Sequence, residues 1–215
     1  LIGSDVSGQE ETLHGWTEAE VFLGRIEPRF VPLIKQFGPC PLTSMKEHEE
    51  DSVFVSLLGA ILSQQISTKA AESIKKRLYA HFPESDHPPA DLLMSMDDDA
   101  FRSLGISRQK AGYIRDLASK CELIPKSSEL DAMEDEVIIQ ALTTVRGIGR
   151  WSVEMMLMFH LGRPDVFAAD DLGLQEGIKR LLDLSERPKR KEMPALAEAW
   201  RPYRSTASWY LWRLL

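Results

Sequence analysis

Apolar residues recur at intervals of three and four along most of the chain, and no stretch shows the two-residue alternation with hairpin turns expected of a half-buried strand. The pattern predicts an all-α protein. Thr17 with Glu20 three residues on is a capping-box signature, opening a helix through Val21, Phe22 and Ile26 towards Ile34, broken at Pro28 and Pro32. Residues 53–62 are apolar on nearly every side, which marks a central buried helix capped by Asp51 or Ser52. Ser67 caps the next helix, where Ala70, Ala71, Ile74 and Leu78 form the inward stripe and Lys69, Lys75, Lys76 and Arg77 the wet one. Short helices are expected near 90–95 and 97–103, then a longer one over 107–121, with loops at 83–91 and 125–130. Helices near 134–143, 150–161 and 171–183 precede a basic loop at 187–191 and a terminal helix pair broken at Pro202.

At 215 residues, 43% hydrophobic and 27% charged, the composition is that of a globular chain forming one large domain or two small ones sharing a groove. The longest apolar run, 53–62, is interrupted by Ser56 and Gly59 and is about half the ~20 residues that cross a bilayer, so no membrane span is expected. Cys40 and Cys121 have no metal-ligand spacing, and the histidines at 14, 48, 81, 87 and 160 form no cluster. Two reduced thiols in a cytosolic protein are the simpler reading. Leu1-Ile-Gly-Ser lacks the layout of a signal peptide and is read as a tail outside the fold.

The net charge of −7 argues against a polyanionic partner, but its distribution tempers that objection. Acid gathers in Glu10/Glu11, 47–51, 97–99 and 129–136, whereas Arg108/Lys110, Arg146/Arg150 and Arg201/Arg204 stand where acid is sparse. Any DNA-binding face must therefore be local. The run Lys189-Arg190-Lys191 reads as a solvated loop.

The most informative segment is helix, short turn with glycines at 147 and 149, then helix. Glycines allow close approach of an oxygen to the main chain, and the first amides of the second helix lack intrahelical acceptors. The helix dipole adds partial positive charge, so the turn suits a phosphate without needing a cationic side chain. Ile148 would anchor it in the core. Taken alone, Gly-x-Gly equally suits an ordinary glycine-capped connection. About twenty residues on comes Asp165-Val-Phe-Ala-Ala-Asp170-Asp171-Leu-Gly-Leu-Gln175, in which either adjacent aspartate fits a cap for a helix beginning near Leu172.

Residues 146–152 followed by 165–175 resemble the hairpin plus aspartate loop of the helix-hairpin-helix DNA glycosylase superfamily, and within it the alkylpurine group, 3-methyladenine DNA glycosylase II. Leu58-Gly-Ala-Ile-Leu-Ser-Gln-Gln-Ile-Ser67 is similar to that family's helix and wedge turn, Gly105-Ile-Ser-Arg-Gln-Lys-Ala111 to its second helical signature, and Trp200-Arg-Pro-Tyr-Arg-Ser-Thr-Ala207 to its C-terminal motif. The sequence departs from the family at Ala169, where proline often precedes the aspartate pair. The roughly fifty residues before the core are too few for the β-rich domain of the larger members.

The resemblance implies a two-lobed, all-α glycosylase fold. Residues 51–160 would form the lobe with wedge and hairpin, and 161–215 would carry the aspartate loop in a second lobe against which 1–50 packs; the site would lie in the groove between the lobes. It further implies Asp171 as the catalytic carboxylate, with Asp170 left as cap or loop-former, and Trp151 and Trp212 as base-pocket residues. Gln65, with Gln64, stands at the position that enters the DNA stack, and Gly147, Ile148, Gly149 and Arg150 form the phosphate-binding hairpin. Trp151 occupies the place where lyase members carry a Schiff-base lysine. No cofactor is required, and a structural Na+ or K+ is expected on the backbone carbonyls of Thr143, Val145 and Gly147. The implied enzyme is a monomer that acts on double-stranded DNA containing alkylated bases, in the cytoplasm or nucleoid, or in a eukaryotic nucleus.

Overall fold

The computed structural model describes residues 15–43 and 52–215, and among these every regular element is a helix or a 3-10 turn. In chain order the α-helices are α1 Glu18–Ile26, α2 Phe30–Phe37, α3 Ser52–Ser63, α4 Thr68–Ala80, α5 Ala90–Ser95, α6 Asp98–Ser103, α7 Arg108–Ser119, α8 Ser127–Leu130, α9 Asp135–Leu142, α10 Arg150–Phe159, α11 Leu172–Leu182, α12 Met193–Leu196 and α13 Arg204–Trp212. The chain divides into two compact units, Leu1–Lys46 with Gly162–Leu215, and Glu47–Leu161. Asp51, Glu10/Glu11, His14, His48 and most of the 1–50 segment's acid lie outside the described residues.

In the unit Glu47–Leu161, α3 is the hub: Leu57, Leu58, Ile61 and Leu62 are fully buried, and the helix packs against α4, α7 and α10. Burying each such side chain contributes roughly 1.5–3 kcal/mol. Short polar residues start the helices around it. Ser67 Oγ accepts from the Ala70 amide at 3.3 Å, Asp97 Oδ1 from Ala100 at 2.7 Å and Ser107 Oγ from Lys110 at 3.3 Å. The 125–130 stretch differs from the expected loop. It contains the single helical turn α8, closed by Glu129 accepting from the Lys126 amide at 2.8 Å and by the buried Leu130.

In the other unit the expected break at Pro28 is present, whereas Pro32 lies inside α2. It is the third helical residue, where the amide would have no intrahelical acceptor anyway. Glu20 is fully buried yet collects three donors: the Thr17 amide at 2.7 Å, the Cys40 amide at 2.5 Å and the Tyr210 hydroxyl at 2.8 Å. This carboxylate ties α1 to α13. Burial, followed by the neighbouring Glu20, pushes the Tyr210 hydroxyl far above its ordinary pKa, and burial raises the Cys40 thiol to about 11, which keeps it protonated and unreactive. Helices α11 and α13 meet at Gly177, where a Cβ would lie 2.7 Å from the Leu211 carbonyl oxygen. Only glycine allows so close an approach.

Candidate functional site

The α9–α10 turn is held by a left-handed glycine and by one side of α7. Gly147 has φ +83°, and a Cβ there would collide with the Tyr113 ring, so backbone conformation and packing both require glycine. Ile148 is buried beneath the turn. The Arg146 amide donates to Asp116 Oδ2 at 2.8 Å, and Lys120 Nζ donates to Asp116 at 2.7 Å and to the Thr144 carbonyl at 2.8 Å. Burial opposes the charge on Asp116, but Lys120 and the Arg146 amide outweigh it and hold the carboxyl below its usual range.

Gly149 is the extended N-cap of α10, and a Cβ built there would meet nothing within 4 Å. The Ser152 and Val153 amides turn back to the Gly149 carbonyl, while the Gly149 and Arg150 amides donate to no acceptor among the described residues. These amides, with the helix dipole behind them, make a local anion site from main chain.

Cationic side chains contribute less here than the sequence suggests. Arg150 is held bidentately by Glu136, at 3.0 and 2.7 Å, and by Glu154 at 2.9 Å, so its charge is matched within the protein instead of being directed at a phosphate. Arg201 and Arg204 both bind Asp165, each with a contact of 2.6 Å. Arg146 is exposed, and its guanidinium makes no ion pair among the described residues.

The turn between α3 and α4 separates two neighbouring glutamines. Gln65 is exposed with φ +56°, a left-handed conformation uncommon for a residue with a Cβ. Gln64 instead turns towards the hairpin, its Nε2 donating to the Gly147 carbonyl at 2.6 Å. Lys110 Nζ donates to the Leu62 carbonyl at 2.6 Å, at the end of α3, and burial holds its pKa below the ordinary lysine value.

In the other unit, Asp171 starts α11. Its backbone is extended and its Oδ1 accepts from the Leu174 amide at 2.7 Å, so Asp171 is itself the N-cap. Of the two roles left to Asp170, cap or loop-former, the cap belongs to Asp171 instead, and Asp170 forms a 2.5 Å ion pair with Arg190. Trp212 is half-buried and donates its indole Nε1 to the same Oδ1 at 3.0 Å, across 41 residues of sequence. Gly173 makes room, since a Cβ there would lie 2.9 Å from Asp171 Oδ1 and 3.0 Å from Trp212 Cδ1. Two donors thus hold one carboxylate oxygen in a fixed place.

Trp151, second in α10, is 47% exposed, so it is not spent as core packing. The carbonyls of Thr143, Val145 and Gly147 are neutral hard oxygens, the chemistry that suits a monovalent cation. Val145 O already accepts from the Ile148 amide at 3.1 Å and Gly147 O from Gln64, but each carbonyl has a second lone pair, so the donor set fits. No group of three His, Cys, Asp or Glu that could hold a metal exists among the described residues, nor is any described helix long and apolar enough to cross a membrane.

Residues 58–202 match the family described as HhH-GPD superfamily base excision DNA repair protein. The chain is 33% identical over 212 residues to DNA-3-methyladenine glycosylase 1 of Schizosaccharomyces pombe, covering 97% of this chain and 92% of that protein. It is 32% identical over 202 residues to the alkylbase DNA glycosidase-like protein mag2 of the same organism, covering 93% of each. Among solved structures, the S. pombe 3-methyladenine DNA glycosylase in complex with abasic DNA is similar with a TM-score of 0.79 at 34% identity, covering 92% of this chain and 96% of that one. A DNA-3-methyladenine glycosidase from Bacillus halodurans is similar with a TM-score of 0.68 at 31% identity, covering 87% and 88%. The chain belongs to the HhH-GPD superfamily of base excision DNA repair proteins.

Proposed function

We propose that the protein is a monofunctional DNA glycosylase that hydrolyses the N-glycosidic bond of alkylated bases in double-stranded DNA and leaves an abasic site. The observation that carries this reading is the Asp171 carboxylate, fixed by the Leu174 amide and the Trp212 indole at the start of α11. Losing a base builds positive charge on the sugar, and a fixed carboxylate stabilises that oxocarbenium-like species and orients the attacking water. At about 4 Å and an effective dielectric near 20 the attraction is worth about 4 kcal/mol, roughly a thousandfold in rate.

Trp151 supports both the hydrolytic route and the lesion class. An indole in place of an amine offers no Schiff base. Its exposed face suits purines alkylated at a ring nitrogen, such as 3-methyladenine and 7-methylguanine, because their formal charge weakens the glycosidic bond and attracts an aromatic face by about 2 kcal/mol. Trp212 belongs to this reading as the residue orienting Asp171. Gln65 fills the gap left when the target nucleotide leaves the stack. The Gly147–Ile148–Gly149 turn holds phosphate through its amides, with Arg150 beside it as a structural cation, and a Na+ or K+ on the carbonyls of Thr143, Val145 and Gly147 would stiffen the turn. The enzyme works as a monomer.

Incubation with methylated DNA followed by hot alkali tests the reading. A glycosylase gives strand breaks only after alkali, a glycosylase/lyase gives them without it, and a non-enzymatic helix-hairpin-helix module gives none. Base release should favour 3-methyladenine or 7-methylguanine over 8-oxoguanine. The reverse order would reject the alkylbase assignment even with the glycosylase fold intact.

A further inference from the structure

One side of α7 reaches both loops that the proposed function assigns to DNA. Lys110, Tyr113, Asp116 and Lys120 follow one another at three- and four-residue steps, so they share a helix face. Lys110 grips the Leu62 carbonyl at the end of α3, while Tyr113 covers Gly147, Asp116 accepts from the Arg146 amide and Lys120 donates to the Thr144 carbonyl. The remaining link joins the two loops directly: Gln64 Nε2 to the Gly147 carbonyl at 2.6 Å, between residues 83 apart in sequence. The left-handed conformation at Gln65 directly follows that contact and turns the two glutamines apart.

We infer that Gln64 is a latch, not a second wedge: its side-chain amide fixes the distance between the Gln65 turn and the phosphate-holding hairpin, so that both engage the same duplex in register. Lys110 braces the same turn from the other side. This rests on the reading that Gln65 enters duplex DNA and the hairpin holds phosphate. Gln64 is then a positioning residue, acting through Gln65 and Gly147 without touching the base. A latch between two DNA-holding loops matters where both are loaded together. Duplex needs a wedge in its stack and a grip on its backbone; a single strand has no stack to fill.

The test compares Gln64→Met, which keeps length but removes the donor, with Gln64→Glu, which sets a carboxylate against the Gly147 carbonyl, and with Lys110→Met, Gln65→Gly and Gln64→Met/Gln65→Gly. Hydrogen exchange of the intact protein should show amides in 63–67 and 147–150 losing protection together in Gln64→Met, and more so in Gln64→Glu. Release of 7-methylguanine should fall roughly five- to tenfold more on duplex than on single strands in Gln64→Met, the scale of one lost hydrogen bond. Lys110→Met should show the same duplex bias more weakly. In the double variant Gln64→Met should add less than twofold to the loss from Gln65→Gly, because the latch acts through the wedge.

Unchanged exchange in the two segments, an equal loss on duplex and single strand, or losses that multiply in the double variant would each overturn the latch. A duplex-specific loss in Gln64→Met with none in Gln65→Gly would remove the wedge role from Gln65 and, with it, the latch, which acts through that residue.

Discussion

The α9–α10 hairpin and the start of α11 are both helix N-termini, yet they are built from different materials. At the hairpin, Gly149 caps α10 without a side chain and the amides of residues 149 and 150 donate to no acceptor among the described residues, so the polar groups belong to the main chain. At α11, Asp171 places its own carboxylate on the first turn and the Trp212 indole reaches it from α13. The first end offers partial positive charge to an anion, and the second fills that same potential with a fixed negative charge of its own. One motif of secondary structure therefore carries opposite local charge, according to whether the N-cap is glycine or aspartate.

The variant that breaks this contrast most sharply is Asp171→Asn. Asparagine caps a helix about as well as aspartate and keeps an oxygen for the Leu174 amide and Trp212, so thermal stability should change little. Base excision should fall by about a thousandfold, with DNA binding near that of the parent, because only the charge matched to the sugar cation is lost. Excision equal to the parent would remove Asp171 from the chemistry. Asp170→Asn, which disturbs only the pair with Arg190, should cost far less.

Next in size is Gly147→Val. It must adopt a left-handed φ and displace Tyr113, a strain of roughly 1–3 kcal/mol, so binding to all DNA sequences should weaken by about tenfold or more. Titrations showing sequence-selective weakening would contradict a backbone phosphate site. Trp212→Phe keeps much of the packing but removes one donor from Asp171, and single-turnover excision should slow roughly fivefold with binding unchanged. A loss in binding alone would show that the indole serves the ligand and not the carboxylate.

The smallest effect is expected of Arg150→Ala. Paired with Glu136 and Glu154, the guanidinium has little unbalanced charge to give a phosphate, so the slope of binding against salt should shift by well under one unit. A full-unit decrease would mean that DNA draws Arg150 away from its carboxylates. The hairpin is also coupled to pH through Asp116, whose pKa is held below its ordinary 3.8 in the folded protein. The stabilisation is fully present above that ordinary value and is lost as pH falls through the depressed one, so hairpin order should persist at neutral pH and fade only in strong acid.

Local pattern was a sound guide wherever neighbours in sequence decide the outcome. Helix starts at Ser67, Asp97 and Ser107 follow from a short polar residue before an apolar stripe, and the glycines at 147 and 149 mark the turn between α9 and α10. The Pro32 position shows the limit of that logic, because proline breaks a helix only after the first turn and the sequence does not announce where the first turn begins. The aspartate pair shows it again: either residue fits a cap in the sequence, and the structure gives the cap to Asp171 and an ion pair with Arg190 to Asp170.

What the sequence by itself determined was the all-α class and the order of the helices, since these depend on periodicity, caps and glycines a few positions apart. Partnerships across the chain were decided only by tertiary structure. Gln64 met Gly147, Trp212 met Asp171, and Arg150, Arg201 and Arg204 met carboxylates. The reason is physical: a hydrogen bond or ion pair is fixed by distances of about 3 Å, and residues tens of positions apart acquire such distances only when buried faces pack and small residues such as Gly173 and Gly177 let two helices close.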